Sequence, residues 1–473
     1  MKENASSALK YALSKGFQIH PDAFKILEKI DSKELEVIIK RVVREKARQN
    51  LFLINQNDLK MFVDSVVDEN IEDKHEILSD PTTKITSAEG IDGFGALFAN
   101  RYSKLLKIVS QRAQAKKLIQ IDTVKAGKPK EEVFIGGLLM DRKIDRDVTK
   151  LIVDDPSGSL ETLVFNKEML PIANSLLVDQ FIMQSITSGK NGGFVTKELV
   201  VPDVPEHVTN RSRTETYAVL ISDLHVGSKY FMEQEFGEFV SWLSSSDPIA
   251  KKVRFVLVCG DVVDGVGIFP NQDKELLLVD IGQQMAKAAQ MLDKIPKHIK
   301  VFIIPGNHDP GRRALPQPAI PEKHNLDLWN RENFFMIGNP SVISLNGVKV
   351  LMFHGQSLDD VVGTTPGLSY SQPAKAMRTL LKARHLSPIY GKRTPIAPEI
   401  EDMMVIDEIP DIFHSGHIHV VDLDMYKGTL IVNSGAWQTQ TSYQASVGIT
   451  PTPGIAVIVN LATLKVFTKS FVD

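Results

Sequence analysis

The chain has 473 residues, 43% hydrophobic and 24% charged, an ordinary globular composition that excludes wholesale disorder. Its 55 Lys and Arg stand against 58 Asp and Glu, a net charge of −3, so a globally basic nucleic-acid-binding coat is excluded and only a local basic patch could serve. One cysteine, Cys259, excludes an intrachain disulfide framework and a cysteine-only zinc site, and fits a reducing, intracellular setting.

The opening stretch, MKENASSALKYALSKGF, lacks the apolar core of a signal peptide, and no later run reaches about 18 apolar residues, so no membrane span is expected. Residues 1–70 read as a small all-helical interaction unit. Pro21-Asp22 opens one helix. Asp31-Ser32-Lys33-Glu34 has capping-box spacing ahead of Leu35, Ile38, Ile39, Val42 and Val43, and Asn57-Asp58 opens a third helix with Leu59, Phe62 and Val66. Residues 71–91 are polar and broken by Pro and Gly, which reads as a linker. A helical pattern runs from Phe94 to Leu118 and ends in the basic stretch from Arg112 to Lys117.

From about Glu132 the hydrophobic period shortens. Val133–Met140, Lys150–Asp154, Glu161–Phe165, Gln180–Gln184 and Phe194–Val201 read as five strands, divided by turn signals at 154–158 and 191–193. Five short strands in about 70 residues suggest an OB-fold-like barrel over 119–205. Its strands are poor in Tyr and Trp, so it fits protein packing as well as single-stranded nucleic acid. Residues 206–473 then read as an α/β domain. Its strands are Tyr217–Ser222, Val253–Cys259, Val301–Ile304, Val348–Phe353, Ile412–Ser415, Thr429–Val432, Ile455–Asn460 and Val466–Phe471, with a helix over Glu275–Leu292.

Five motifs follow successive strands of this domain: Asp223-Leu224-His225, Gly260-Asp261-Val262-Val263-Asp264-Gly265, Gly306-Asn307-His308-Asp309, His354-Gly355 and Gly416-His417-Ile418-His419. Residues just beyond the carboxyl ends of strands in α/β sheets converge on one crevice. Any one motif alone reads equally as a turn or a core histidine. Jointly they hold five of the twelve histidines, and carboxylates, imidazoles and an amide are the donor set for two divalent cations. Cys259, beside Gly260, reads as buried packing, and His414 and His385 as structural.

In their order these motifs resemble the calcineurin-like metallophosphoesterase superfamily, whose sandwich has αββα layers. The wider layout of helical unit, barrel and phosphoesterase is similar to the small subunits of archaeal family-D DNA polymerases. Gly367–Tyr370, His385–Gly391 and Arg393–Glu399 look like their insertion between the fourth and fifth motifs. The resemblance implies that Asp223, His225, Asp261 and His419 hold one ion. Asp261, Asn307, His354 and His417 would hold the other, with Asp261 bridging. The donor set suits Mn2+, Zn2+ or Fe2+ over Mg2+, and the family implies Mn2+. His308 would face the leaving group and donate to the departing 3′-oxygen. Asp264 and Asp309 either fix an imidazole tautomer or simply cap turns.

The implied activity is 3′→5′ proofreading exonuclease within a DNA polymerase holoenzyme. A separate large polymerising subunit would be bound as a heterodimer or heterotetramer, and a primer–template 3′ end would be the substrate. A sliding clamp is a further partner on this reading, although no clamp-binding peptide stands out. The expected location is cytoplasmic, at the nucleoid. The alternatives are an assembly subunit with a vestigial site and a free-standing phosphoesterase. Between Pro366 and Pro398 stand Lys375, Arg378, Lys382, Arg384, Lys392 and Arg393 and no Asp or Glu. These six charges read either as a track for a DNA backbone or as a docking surface for another subunit.

Overall fold

The computed structural model describes residues 2–27, 32–48, 52–55, 58, 73–86, 90–110, 112, 114–127, 129–189, 193–324, 326–446 and 448–472. Asp31, Asn57, Leu59, Phe62 and Val66 lie outside these, and with them the capping box and the expected third helix of the N-terminal unit.

The N-terminal residues 1–73 form one compact unit with two short segments from later in the chain. Helices Lys2–Ser14, Pro21–Leu27 and Ser32–Arg48 bury Ala12, Leu27, Ile38, Ile39 and Val42 between them. The unit is not all-helical: Gln18–Ile19 pairs in parallel with Leu53–Ile54. These connectors lie side by side, and Gln18 and His20 donate their N–H groups to Phe52 and Ile54.

In the second unit a closed barrel holds Val133–Ile144, Thr149–Asp155, Gly158–Val164, Phe194–Val200 and Phe181–Ser188 in that spatial order. All pairs are antiparallel except the third strand with the fifth. Gly137 sits where the first strand presses on the second; a Cβ there would meet the Asp154 carbonyl oxygen at 2.3 Å.

Two six-stranded sheets make up the rest. In the first the order is Phe334–Met336, Lys300–Ile304, Val253–Cys259, Tyr217–Ile221, Ile455–Asn460, Val466–Ser470, with the first four parallel. The parallel strands VRFVLVC and YAVLI are near-continuous apolar runs because both faces are covered. Val219, Ile221, Val256 and Val258 pack under helices Glu233–Leu243 and Ile281–Leu292, while alternate residues Leu220, Leu257 and Phe302 are just as buried. In the second sheet the order is Asp422–Tyr426, Thr429–Asn433, Ile412–Ser415, Val348–Met352, Ser341–Leu345, His75–Ser79. Helices Leu358–Thr364 and Pro373–Ala383 cover it through Val361, Met377, Leu380 and Leu381.

Three elements differ from the sequence expectation. The stretch read as a linker contributes strand His75–Ser79, antiparallel to Ser341–Leu345; an edge strand needs pairing on one side only and tolerates the polar HEILS sequence. The helix expected from Glu275 starts at Ile281, because Asp280 caps it by accepting from the Gln283 N–H at 2.9 Å. The helix expected over 94–118 spans Gly90–Val109, and Arg112 turns back to donate to the carbonyls of Val201 and Pro202.

The insertion between the fourth and fifth motifs is fastened from within. Arg101, fully buried, donates to Asp402 at 2.7 Å and to the Pro388 carbonyl at 2.7 Å. The Nε2–H of His385 reaches the same carboxylate at 2.9 Å, and its Nδ1 accepts from the Ser387 N–H, which fixes a neutral tautomer. Burial, aided by Arg101, pushes the His385 pKa down to about 4. Between pH about 4 and 6.5 the unfolded chain therefore takes up a proton on this ring that the folded protein refuses. Stability present above pH 6.5 is lost as the pH falls, by up to about 3 kcal/mol from this group. Denaturant midpoints at pH 7 and pH 4.5 should show His385→Asn less stable than the parent at pH 7 but less sensitive to acid. An unchanged pH slope would contradict this.

Candidate metal centre

Each motif begins within two residues of a strand end. Asp223, Asp261 and Asn307 follow three adjacent parallel strands of the first sheet, Tyr217–Ile221, Val253–Cys259 and Lys300–Ile304. His354 and His417 follow two adjacent parallel strands of the second sheet, Val348–Met352 and Ile412–Ser415. The chain turns sharply there. Asp223, His225, Asp261, His417 and His419 all take left-handed φ values, between 52° and 69°. Five non-glycine residues in that region mark backbone held for the placement of side chains. The motif glycines allow the approach: a Cβ on Gly306 would fall 2.1 Å from Asp261 Oδ1, and one on Gly416 would fall 2.5 Å from Asp223 Oδ2.

The side chains converge. His225 Nε2 lies 3.1 Å from His419 Nε2, and His419 Nε2 lies 3.4 Å from Asp223 Oδ1. Asp261 Oδ2 is 3.3 Å from His354 Nε2 and 3.8 Å from His225 Nε2, so one carboxylate stands between two groups of imidazoles. Asn307 Oδ1 is 3.0 Å from His354 Nε2. Ligand atoms of Asp223, His225 and His419 lie within 4.8 Å of one another, as do those of Asp261, His354 and His417. These are the two groups that the resemblance implied, with Asp261 in reach of both.

The electrostatics match a cation. Burial pushes the Asp261 carboxyl up, but His354, His308 and His225 more than offset it, and it ends well below the ordinary range. Burial lowers His225 and His354, yet Asp264 and Asp261 outweigh it at the first and Asp261 at the second, raising each to about 9. A field that raises two buried imidazoles so far attracts any positive charge, and the mixed N/O donors fit Mn2+, Zn2+ or Fe2+.

Supporting contacts divide the two carboxylates left open by the sequence. Asp264 accepts from His225 Nδ1–H at 3.0 Å, and Gln272 and Gln438 donate to it. It thereby fixes the His225 tautomer and turns Nε2 inward. Asp309 touches no imidazole. It accepts the N–H groups of Val263 and Gly306 at 3.1 and 2.8 Å and ties two motif loops together, which is the turn-holding alternative. Burial beside Asp261 raises its pKa to about 6.

Three supports were not legible in the sequence. Asp359 lies 3.3 Å from His417 Nε2, Gln444 lies 2.7 Å from His419 Nδ1, and the Cys259 carbonyl accepts from His354 Nδ1–H at 2.8 Å. Asp359, in the first turn of its helix, carries only the signal of a carboxylate beside the helix dipole. The Cys259 thiol is buried, with its pKa pushed well up, and acts in packing. His414 donates to or accepts from Ser434 and is held neutral by burial.

His308 is half-buried on the cavity wall. Its Nδ1–H donates to the Asp264 carbonyl at 2.7 Å, and its ring stands edge-on to His225. The six basic residues of the insertion separate. Arg384 is 4% exposed and donates to the carbonyls of Ile406 and Asp407, so no strand of DNA could reach it. Arg378 pairs with Asp424. Lys375, Lys382 and Lys392 are exposed, and Lys382 lies 5.8 Å from the Tyr426 ring centre. Of the six, only Arg393 lines the cavity that holds the motif residues.

Comparison with known proteins agrees with this arrangement. The family model of the DNA polymerase alpha/epsilon B subunits matches residues 218–419, the span from the first strand of the first sheet to the last motif. The chain is 36% identical over 474 residues to the DNA polymerase II small subunit of Archaeoglobus fulgidus, covering 95% of each chain. It is 33% identical over 470 residues to that of Thermoplasma acidophilum, covering 98% of this chain and 93% of the other. It is 38% identical over 398 residues to that of Pyrococcus horikoshii, over 81% of this chain but 64% of that longer one. Likeness to solved structures is slight: an asparaginyl-tRNA synthetase of Pyrococcus horikoshii matches 17% of this chain and 21% of its own at 15% identity, with a TM-score of 0.16, and carries no argument. The identity along nearly the whole chain decides the question: this protein belongs to the family of archaeal DNA polymerase II small subunits.

Proposed function

We propose that this subunit is the 3′→5′ proofreading exonuclease of a two-subunit replicative polymerase. It would hydrolyse DNA phosphodiester bonds with two divalent ions, Mn2+ first among them, and hold the large polymerising subunit. The observation that carries the reading is the convergence of all seven donors from five strand ends on one cleft. The finer fold assignments rest on similar grounds. Helices cover both sheets, and His75 of one sheet packs its ring against Phe302 and Phe335 of the other, as an αββα sandwich requires. The barrel order, with its one parallel pair, supports an OB-fold.

Asp223, His225, Asp261 and His419 would hold one ion, and Asp261, Asn307, His354 and His417 the other. Such ions supply a water made acidic enough to attack phosphorus, and they neutralise charge on the phosphate. The chain's own groups do the rest. Asp264 and Asp359 orient His225 and His417. The Cys259 carbonyl fixes His354 with Nε2 turned to Asp261. His308, its Nδ1–H spent on the Asp264 carbonyl, has Nε2 left to exchange a proton with the departing 3′-oxygen. The intact, buried carboxylates argue against a vestigial site, since unpaired charges there would be costly to keep together.

The test is the full chain, alone and co-purified with a candidate large polymerase subunit, on a primer–template with a mismatched end, p-nitrophenyl phosphate and a cyclic nucleotide. The expected result is Mn2+-dependent release of single nucleotides from the DNA only. Hydrolysis of the small phosphomonoester alone would favour a free-standing phosphoesterase, and no hydrolysis of any substrate would leave only assembly. Among the described residues no helix is long and apolar enough to cross a membrane.

A further inference from the structure

The motif residues line a cavity of about 360 Å3, and four of its other lining groups hold no ligand and support no catalytic step: Phe269, Tyr370, Arg393 and Tyr443. Phe269 stands beside His308, with ring centres 6.4 Å apart. Its loop is stapled to the metal centre, for the Gln272 amide donates to the Asp264 carbonyl and carboxylate at 2.8 and 2.9 Å and accepts from the Ile268 N–H at 2.9 Å. Tyr443 is 54% exposed, yet it sits on a short helix held by the centre itself. Its neighbour Gln444 bonds His419 Nδ1 at 2.7 Å, and Ser442 lies 3.3 Å from the Tyr230 hydroxyl. Arg393 has an exposed side chain on a fixed backbone, because the N–H groups of Arg393 and Thr394 both donate to the buried Asp360 carboxylate, at 2.9 and 3.0 Å. Its charged and titratable neighbours are Asp359, Tyr370, Tyr443 and Asp360. An apolar ring and a phenol kept in water by hydrogen bonds from the metal-ligand shell are not there for packing.

We propose that Phe269 and Tyr443 are stacking platforms for the bases of an unpaired strand end, and that Arg393 takes a phosphate of its backbone. The assignment rests on the hydrolytic reading above and deepens it. Every base has a π-face, so two aromatic platforms bind any sequence, as an editing site must. A guanidinium offers paired donors to phosphate oxygens and reads no sequence. The cavity is at the small end of ligand pockets, so a base still in a duplex has to leave its stack to enter. Ends already unpaired avoid that cost, and selectivity for them follows from shape and stacking.

The experiment compares two single-stranded oligonucleotides, identical except that one ends in thymine and the other in an abasic residue. Cleavage is followed in Mn2+, and binding by fluorescence anisotropy in Ca2+. The parent chain should favour the thymine end by roughly tenfold or more in kcat/KM and in affinity. Phe269→Leu and Tyr443→Leu keep apolar bulk without the π-face, and each should bring the ratio toward one, chiefly through KM. Arg393→Gln should weaken binding of both oligonucleotides and flatten the salt dependence. An undiminished preference for thymine in both leucine variants overturns the subsite. A chain that cleaves neither oligonucleotide, yet loses base-dependent binding in the variants, refutes hydrolysis and keeps the subsite.

Discussion

Asp261→Ala should strip both ions from the site and bring DNA hydrolysis to background, a loss of more than about 10³-fold. The size follows from position. Asp261 is 1% exposed, its Oδ2 faces His354 and His225, and its Oδ1 accepts the His308 N–H at 2.8 Å. It is the one carboxylate within 4 Å of histidines from both ligand groups among the described residues. An alanine leaves the imidazoles to repel any cation without the charge that offsets them, and it frees a backbone donor of the Gly306–Asp309 loop. The fold should persist, since the substitution shortens a side chain at a strand end and leaves the apolar runs on both sides intact. Metal analysis of purified protein, a thermal melt and the nuclease assay on one preparation decide it. A folded Asp261→Ala with full activity would remove the two-ion reading.

The sequence was most legible where burial was most complete. Val253–Cys259, Ile412–Ser415 and Ile455–Asn460 fall where an uninterrupted apolar run places them, because strands covered on both faces have little choice of residue. Strands with one face or edge in water were not legible. Asp422–Tyr426 and His75–Ser79 mix charge with apolar residues, and their pairing is decided by partners far along the chain. The same division runs through the site. The first donors around each ion were readable, since a ligand needs a particular atom at a strand end. Asp359 and Gln444 were not, since a carboxylate or amide on a helix has many ordinary uses and only the fold brings these two to His417 and His419. Arg384 shows the converse error: charge density along the chain suggested a surface, and the helix terminus turned the guanidinium inward to backbone carbonyls.

His308→Ala should separate binding from chemistry. Hydrolysis of DNA is expected to fall by about 10² to 10⁴-fold, the usual worth of a positioned proton donor, while both ions stay bound. The ions stay because the contact between this residue and Asp261 is made by its backbone N–H, which alanine retains, and because the seven assigned donors are untouched. The geometry does offer a rival: atoms of His225, Asp264 and His308 also lie within 4.8 Å of one another and could form a third ligand group. If His308 were a ligand, its loss would lower the metal content in step with activity. The leaving group gives an independent readout. A departing 3′-oxygen is a strong base that needs a proton as its bond to phosphorus breaks, whereas a nitrophenolate is a far weaker base and leaves without one. The alanine variant should therefore lose much less on a nitrophenyl phosphodiester than on DNA. Equal losses on both substrates, with ions retained, would place His308 in holding the phosphate and leave the proton to solvent.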